Sequence, residues 1–319
     1  MAKLKKIAIT IGEPAGIGPE IVLKSLLSRE VTEVCRPLII GSRAVIQEAS
    51  EKMNIPFDNH THDVLDTGEA INRDFAKGMS TIEGGRACVA YIKKATELAM
   101  IQVVDAVVTA PISKESLKMA GYTWPGHTEM LAELTGTSDY AMVLCGGPLK
   151  VILATIHTAL KNVATMATRE RIVRTIVLAQ KACVLMGIKE PRIAVAGLNP
   201  HAGEAGIFGN EERLEIAPAV QEAQGMRIPV TGPYPADALF HRAYNGDFDI
   251  VVCMYHDQGL IPLKMIAFDK GVNITVGLPF VRTSPDHGTA YDIAWQGVAN
   301  PSSLIEAIKL AVKLGGNLY

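Results

Sequence analysis

Charge of one sign is what this chain most plainly lacks: 31 Lys and Arg stand against 33 Asp and Glu, for a formal net charge of -2. Without a global field, neither nucleic acid nor an anionic membrane surface is attracted by bulk electrostatics, and a small-molecule partner is favoured. Long apolar runs are missing too. The one that follows Met1-Ala-Lys-Leu-Lys-Lys stops at Gly12, too short for a signal segment or a spanning helix, so a cytoplasmic location is expected. No CxxC pair occurs. The five cysteines, Cys35, Cys88, Cys145, Cys183 and Cys253, are odd in number and scattered through apolar surroundings, which reads as buried, reduced thiols. Absent as well are internal repeats, low-complexity tracts, the dinucleotide pattern GxGxxG and the local metal motif HExxH.

What is present is alternation. With 319 residues and 48% hydrophobic content the chain can bury a large core and exceeds one compact domain. Short Val/Ile-rich runs at Ile7–Ile11, Leu38–Ile40, Val103–Thr109, Val151–Ala154, Ile193–Ala196 and Ile250–Met254 predict buried strands. Helical spacing covers Ile21–Leu27, Arg86–Met100, Arg169–Met186, Ala217–Ala223 and Leu304–Leu314. The expectation is an α/β fold with parallel strands, whose chemistry gathers in the loops after the strands.

Three of those loops deliver a histidine: Thr155-Ile-His157, Gly197-Leu-Asn-Pro-His201-Ala-Gly-Glu204 and Met254-Tyr-His256-Asp257-Gln-Gly. One histidine at a strand end is ordinarily structural. Three at equivalent places suit a divalent ion that keeps open positions for substrate or water. Asp257 and Glu204 are candidate acceptors for the imidazole N–H groups, or else plain solvated carboxylates. His60 and His62 fall in a polar, loop-like stretch, and His241 has no supporting context. Gly12-Glu-Pro-Ala-Gly16-Ile-Gly18-Pro-Glu20 follows the first strand, so its amides can meet an anion or cofactor, or simply form a tight turn. Thr128, in Gly126-His127-Thr128-Glu129, is a candidate helix N-cap. Lys264, Asn273 and Arg282, placed near successive strand ends, suit a phosphate plus a carboxylate. For proton transfer the candidates are Asp237, which could instead cap a helix, and then Lys114.

The motifs GEPAGIGPE (12–20), GHTE (126–129), ATIH (154–157), GLNPHAGE (197–204), MYHDQG (254–259), GVNIT (271–275) and RTSPDHGTA (282–290) together resemble the 4-hydroxythreonine-4-phosphate dehydrogenase family, in family order. More distantly, AGIGPE and HGTAYDIAWQGVANP (287–301) look like segments of isocitrate and isopropylmalate dehydrogenases. The resemblance implies two α/β/α lobes around a cleft, unlike a Rossmann fold, with one lobe at 1–122 plus 299–319 and the other at 123–298. It implies a homodimer with its active site at the subunit interface. It implies oxidation by NAD, or NADP, of a small phosphorylated β-hydroxy acid, then decarboxylation. By the same carry-over His157, His201 and His256 hold one divalent ion (Zn, Mn, Co or Mg), and His127, Thr128, Lys264, Asn273 and Arg282 contact substrate. Gly288, Thr289 and Asp292, with Gly12, lie at the cofactor. Trp124-Pro-Gly-His-Thr-Glu, Lys94-Ala-Thr-Glu-Leu-Ala and Tyr140-Ala-Met-Val-Leu resemble a second branch acting on 4-phospho-D-threonate or 4-phospho-D-erythronate. A cis-dihydrodiol dehydrogenase of an aromatic acid and a metal-dependent hydrolase are the competing readings.

Overall fold

The computed structural model describes residues 4–58, 62–69 and 75–315, so His60 lies outside the described residues. Among the described residues eleven strands run in chain order: β1 (Lys5–Thr10), β2 (Cys35–Gly41), β3 (Asp63–Asp66), β4 (Ala106–Thr109), β5 (Ala141–Gly146), β6 (Leu149–Leu153), β7 (Ile193–Ala196), β8 (Val230–Tyr234), β9 (Ile250–Cys253), β10 (Val272–Val276) and β11 (Arg282–Pro285). The chain divides into two compact units, Met1–Ser138 with Leu278–Tyr319, and Asp139–Gly277. Residues 123–138 and 278–298 thus lie in the first unit.

In the first unit β3, β2, β1, β4 and β11 pair side by side, all parallel. Buried on both faces, β1, β2 and β4 carry Ile7, Ile9, Ile39, Ile40, Val107 and Val108 at or near zero exposure, which is why they read as unbroken apolar runs. The helix Ile82–Met100 lays Ala87, Cys88, Tyr91, Ile92 and Ala95 against them. Its Thr81 cap accepts from Gly84 N, and beyond its last turn Gln102 takes φ 58°. Residues 101–105 therefore turn, and the strand expected from Val103 begins only at Ala106.

The second unit orders β10, β5, β6, β9, β7 and β8 around Leu144, Val151, Leu153, Ala194, Val251, Leu260 and Leu263. Its strands are not all parallel as expected: β5 runs antiparallel to both β10 and β6, because a two-residue turn at Gly147 (φ 55°) and Pro148 joins β5 to β6 as a hairpin. All five cysteines are free thiols, and burial raises the pKa values of Cys35, Cys88, Cys183 and Cys253, which leaves them unreactive.

Gly12, two residues past the end of β1, takes φ 67°, and a Cβ there would collide with the Pro111 carbonyl oxygen. Glu13 N donates to that same oxygen at 2.8 Å. Gly12→Ala is expected to lower unfolding free energy by about 2 kcal/mol, read by urea titration. An unchanged midpoint would show that the turn relaxes freely.

Candidate active site

Three of the four histidines of the second unit, His157, His201 and His256, follow a strand, while His241 lies inside the helix Ala236–Tyr244. β6 ends at Leu153 and exposes His157 four residues on; β9 ends at Cys253, and His256 opens the helix His256–Ala267. His256 Nδ1 is 2.7 Å from Asp257 Oδ1, and because a carboxylate only accepts, the proton of this contact is assigned to Nδ1. The His157 and His256 rings lie 5.7 Å apart between centroids. Two imidazoles on one tetrahedral ion, at ordinary metal–nitrogen lengths, put their centroids about 5.4 Å apart. This pair fits a shared ion.

His201 is carried differently. Residues 201 to 205 all have positive φ, from 40° at Glu204 to 80° at Gly203, a left-handed turn costing about 1 kcal/mol at each non-glycine position. His201 packs on Phe208 at 5.9 Å between ring centroids. Among the described residues no three His, Cys, Asp or Glu side chains converge as a metal-holding group. The structure brings His157 and His256 together and does not bring His201 into the same cluster. What holds the strained turn is Glu212, 5% exposed: its Oε1 accepts from Leu198 N at 2.8 Å and Asn199 N at 2.7 Å, its Oε2 from Asn199 Nδ2 at 3.0 Å. Glu204, expected to support His201, is exposed in the turn itself.

In the first unit β11 presents Arg282 at 1% exposure. Its Nε and Nη2 donate to Thr109 Oγ1 at 3.2 and 2.6 Å. Burial pushes the guanidinium pKa down to about 9, against the opposing pull of the Glu129 charge. Burial, and then the Arg282 charge, hold His127 well below the usual histidine range. His127 is therefore neutral, and its Nε2 is buried with no hydrogen-bond partner. The helix His127–Thr135 starts on Gly126, so Thr128 is not the expected N-cap; it stands buried in the first turn. The amide of an N-cap must precede the helix, and Thr128 is already inside it.

Lys264 and Asn273 belong to the second unit. Lys264 lies within the His256–Ala267 helix rather than at a strand end, because that helix continues through Pro262, which reads in sequence as a breaker. Asn273 lies inside β10 opposite Leu144, with Oδ1 buried and unpartnered. Arg282 likewise begins a strand instead of following one.

The segment expected at the cofactor packs on the N-terminal glycine loop. Ile17 N donates to Thr289 O at 3.0 Å, and a Cβ on Gly16 would touch Thr289 at 3.0 Å. Trp295 Nε1 donates to Pro14 O, and the buried Glu20 accepts from Gly297 N and Ala299 N. Gly288 and Asp292 are exposed beside it, while Gly12 faces Pro111. Of the proton-transfer candidates, Asp237 is exposed in the first turn of the helix Ala236–Tyr244, which Pro235 precedes at the N-cap. Lys114 is exposed at the start of Lys114–Met119, capped by Ser113. Thr109, Glu212 and Gln258 were not singled out by sequence; each acts by touching a residue distant along the chain.

Comparison with known proteins matches this arrangement over nearly the whole chain. The 4-hydroxythreonine-4-phosphate dehydrogenase of Desulforapulum autotrophicum is 48% identical over 319 residues, covering 96% of this chain and 94% of the relative. The D-threonate 4-phosphate dehydrogenase of Pectobacterium atrosepticum is 43% identical, with 97% and 99% covered. The crystal structure of 4-hydroxythreonine-4-phosphate dehydrogenase from Klebsiella pneumoniae superposes with a TM-score of 0.90 at 42% identity, covering 98% of this chain and 99% of that one. All three are dehydrogenases, and this chain is an oxidoreductase of that class. The model of the family described as pyridoxal phosphate biosynthetic protein PdxA matches residues 33–311, and the chain belongs to that family. Among the described residues no helix is long and apolar enough to cross a membrane.

Proposed function

We propose that this protein oxidises the C3 hydroxyl of a 4-phosphorylated β-hydroxy acid with NAD as hydride acceptor, and that the β-keto acid then loses carbon dioxide. The substrate class comes from the names of the relatives. The observation that carries it here is Arg282, a buried guanidinium whose burial outweighs the charge around it, beside the neutral, unpartnered His127 Nε2. Such a group gains most from an anionic ligand with oxygen acceptors, as a phosphate or carboxylate is.

His157 and His256, with His201, would hold a divalent ion, and the Asp257 contact orients His256 for that task. When bound, the ion supplies Lewis acidity that lowers the hydroxyl pKa and steadies the enolate left by decarboxylation. Arg282 and His127 bind the substrate's anionic oxygens, and Thr109 fixes the plane of the guanidinium. Lys264 adds a point charge, and Asn273 Oδ1 accepts from a substrate hydroxyl. Asp237 takes the hydroxyl proton, with Lys114 as the second candidate. Gly16 and Thr289 bring two backbones together, forming a surface on which the adenosine end of NAD rests, next to Gly288 and Asp292. Exposed Ile261, Met265 and Phe268, on or just beyond one helix, support pairing into a cytoplasmic homodimer.

The test is NADH formation by metal-supplemented enzyme offered 4-phosphooxy-L-threonine, 4-phospho-D-threonate or 4-phospho-D-erythronate, with and without EDTA. We expect EDTA-sensitive turnover of at least one. Turnover of the amino acid makes the enzyme biosynthetic, and turnover of the sugar acids alone makes it catabolic. Phosphate release without NADH would replace the proposal with hydrolysis.

A further inference from the structure

We infer that Glu20 and Lys24 are positioning residues, whose ion pair holds residues 287–299 in the shape that receives the adenosine end of the dinucleotide. The inference rests on the reading that this segment, beside Gly16 and Thr289, meets NAD. Its basis lies wholly inside the first unit. Between β11 and the last helix, Ser302–Leu314, the chain forms neither helix nor strand, so its main-chain N–H and C=O groups need partners of another kind. At Gly297 and Ala299 they find two side chains. Glu20 Oε2 accepts from Gly297 N at 3.2 Å and Oε1 from Ala299 N at 2.6 Å, while Lys24 Nζ donates to Gly297 O at 2.9 Å and to Ala299 O at 2.7 Å. Lys24 Nζ also donates to Glu20 Oε1 at 2.8 Å, which uses the last of its three N–H bonds.

The pattern is that of a missing strand. In an antiparallel pair, alternate residues turn both backbone groups to the neighbour and the residue between them turns away. Gly297 and Ala299 do this toward the ion pair, and Val298 between them is 63% exposed. Glu20 and Lys24 stand four residues apart on the helix Gly18–Leu26, which puts both heads on one face, one able only to accept and the other only to donate. The Glu20 side chain is 1% exposed, and its carboxylate tolerates that burial because three N–H groups compensate it. Nearer the glycine loop the same segment is tied by single bonds, Ile17 N on Thr289 O and Trp295 Nε1 on Pro14 O. The ion pair therefore closes the far end of a segment that has no ladder of its own. A segment held in its binding shape binds more tightly than one that must first be ordered, and the apparent affinity falls with the fraction of time the shape is lost.

The experiment compares wild type, Lys24→Met and Glu20→Gln by amide hydrogen exchange of the full-length, cofactor-free protein, by NADH affinity from the fluorescence of the bound nucleotide, and by steady-state kinetics. For Lys24→Met we expect exchange at Gly297 and Ala299 about tenfold faster while the amides of β1 and β2 stay protected, and NADH binding about tenfold weaker. KM for NAD should rise by a like factor with kcat and the KM of the phosphorylated hydroxy acid held within about twofold, a split that general loosening of the fold does not produce. Glu20→Gln, which turns an amide N–H toward a backbone donor, should act in the same direction. Wild-type exchange in folded Lys24→Met overturns the inference, and so does faster exchange with unchanged NADH affinity. If Lys24→Met does not fold, Glu20→Gln decides by the same readings. Wild-type protein whose 287–299 amides gain no protection from NADH sinks the placement of NAD and the inference with it, whereas protection there, with both variants binding NADH as wild type does, sinks only the positioning role.

Discussion

Arg282→Met is expected to lower kcat/KM for the phosphorylated hydroxy acid about a thousandfold, equivalent to about 4 kcal/mol of transition-state binding. Arg282 is 1% exposed, and its guanidinium is aligned by two hydrogen bonds to a single threonine hydroxyl. Burial pushes its pKa down to about 9 against the opposing pull of Glu129, so the cation sits in a setting where water screens its attraction for an anion weakly. Losing charge-assisted hydrogen bonds to that anion in a dry setting is among the costliest single changes to binding. Methionine fills a similar volume without the charge, so folding stability should hold or rise while activity collapses. Arg282→Lys should not rescue, because an ammonium cannot reproduce the planar fork that Thr109 orients. Steady-state kinetics with thermal unfolding decide it. Activity within threefold of wild type would place the substrate's anionic group elsewhere.

The parts legible in the sequence share one physical property, which is that a local pattern carries them. β1, β2, β6, β7 and β9 are buried on both faces and so read as apolar runs. β11 did not, since its Arg-Thr-Ser-Pro sequence is polar, yet Thr283 is buried with its hydroxyl bonded to Ala307 O and Arg282 faces Thr109. β3, at one edge, is the four residues Asp-Val-Leu-Asp, exposed at both ends, and β8 contains Gly232 and Pro233. Tertiary pairing sets both. The histidines at strand ends were visible because the loops that carry them follow legible strands. Glu212 was not: it acts on Leu198 and Asn199 from 14 and 13 residues away, out of a π-turn that no pattern announces. Nor did any residue type foretell the left-handed run from His201 to Ala205, where only one of five residues is glycine.

Glu13 gives the second large effect, one that depends on pH. The residue follows Gly12 in the turn that sets Gly16 against Thr289, and it is fully buried. Ala15 N donates to its carboxyl at 3.4 Å, Cys88 Sγ at 3.9 Å, and Ser116 also bonds it. A Cβ on Gly84 would lie 2.0 Å from Oε1, so the carboxyl rests on the first turn of the Ile82–Met100 helix. That helix start and those donors favour the anion, yet burial outweighs them and raises the pKa from 4.5 to about 7. Between those two values the native state holds a proton that the unfolded chain has released. Stability from this group is therefore complete below 4.5, falls as pH rises to about 7, and is flat above. The full loss is about 3 kcal/mol. Glu13→Gln removes the titration and should match wild type at about pH 4, then exceed it by about 3 kcal/mol at about pH 8. Comparing the two proteins cancels other groups in the same window, including His127, whose lowered pKa makes stability fall toward acid in both. Urea unfolding at the two pH values measures the gap, and a gap that does not widen with pH would mean that the Glu13 carboxylate is better compensated than its burial implies. A widening gap would show that the folded protein favours the protonated carboxyl, as its burial beside the Ile82–Met100 helix implies.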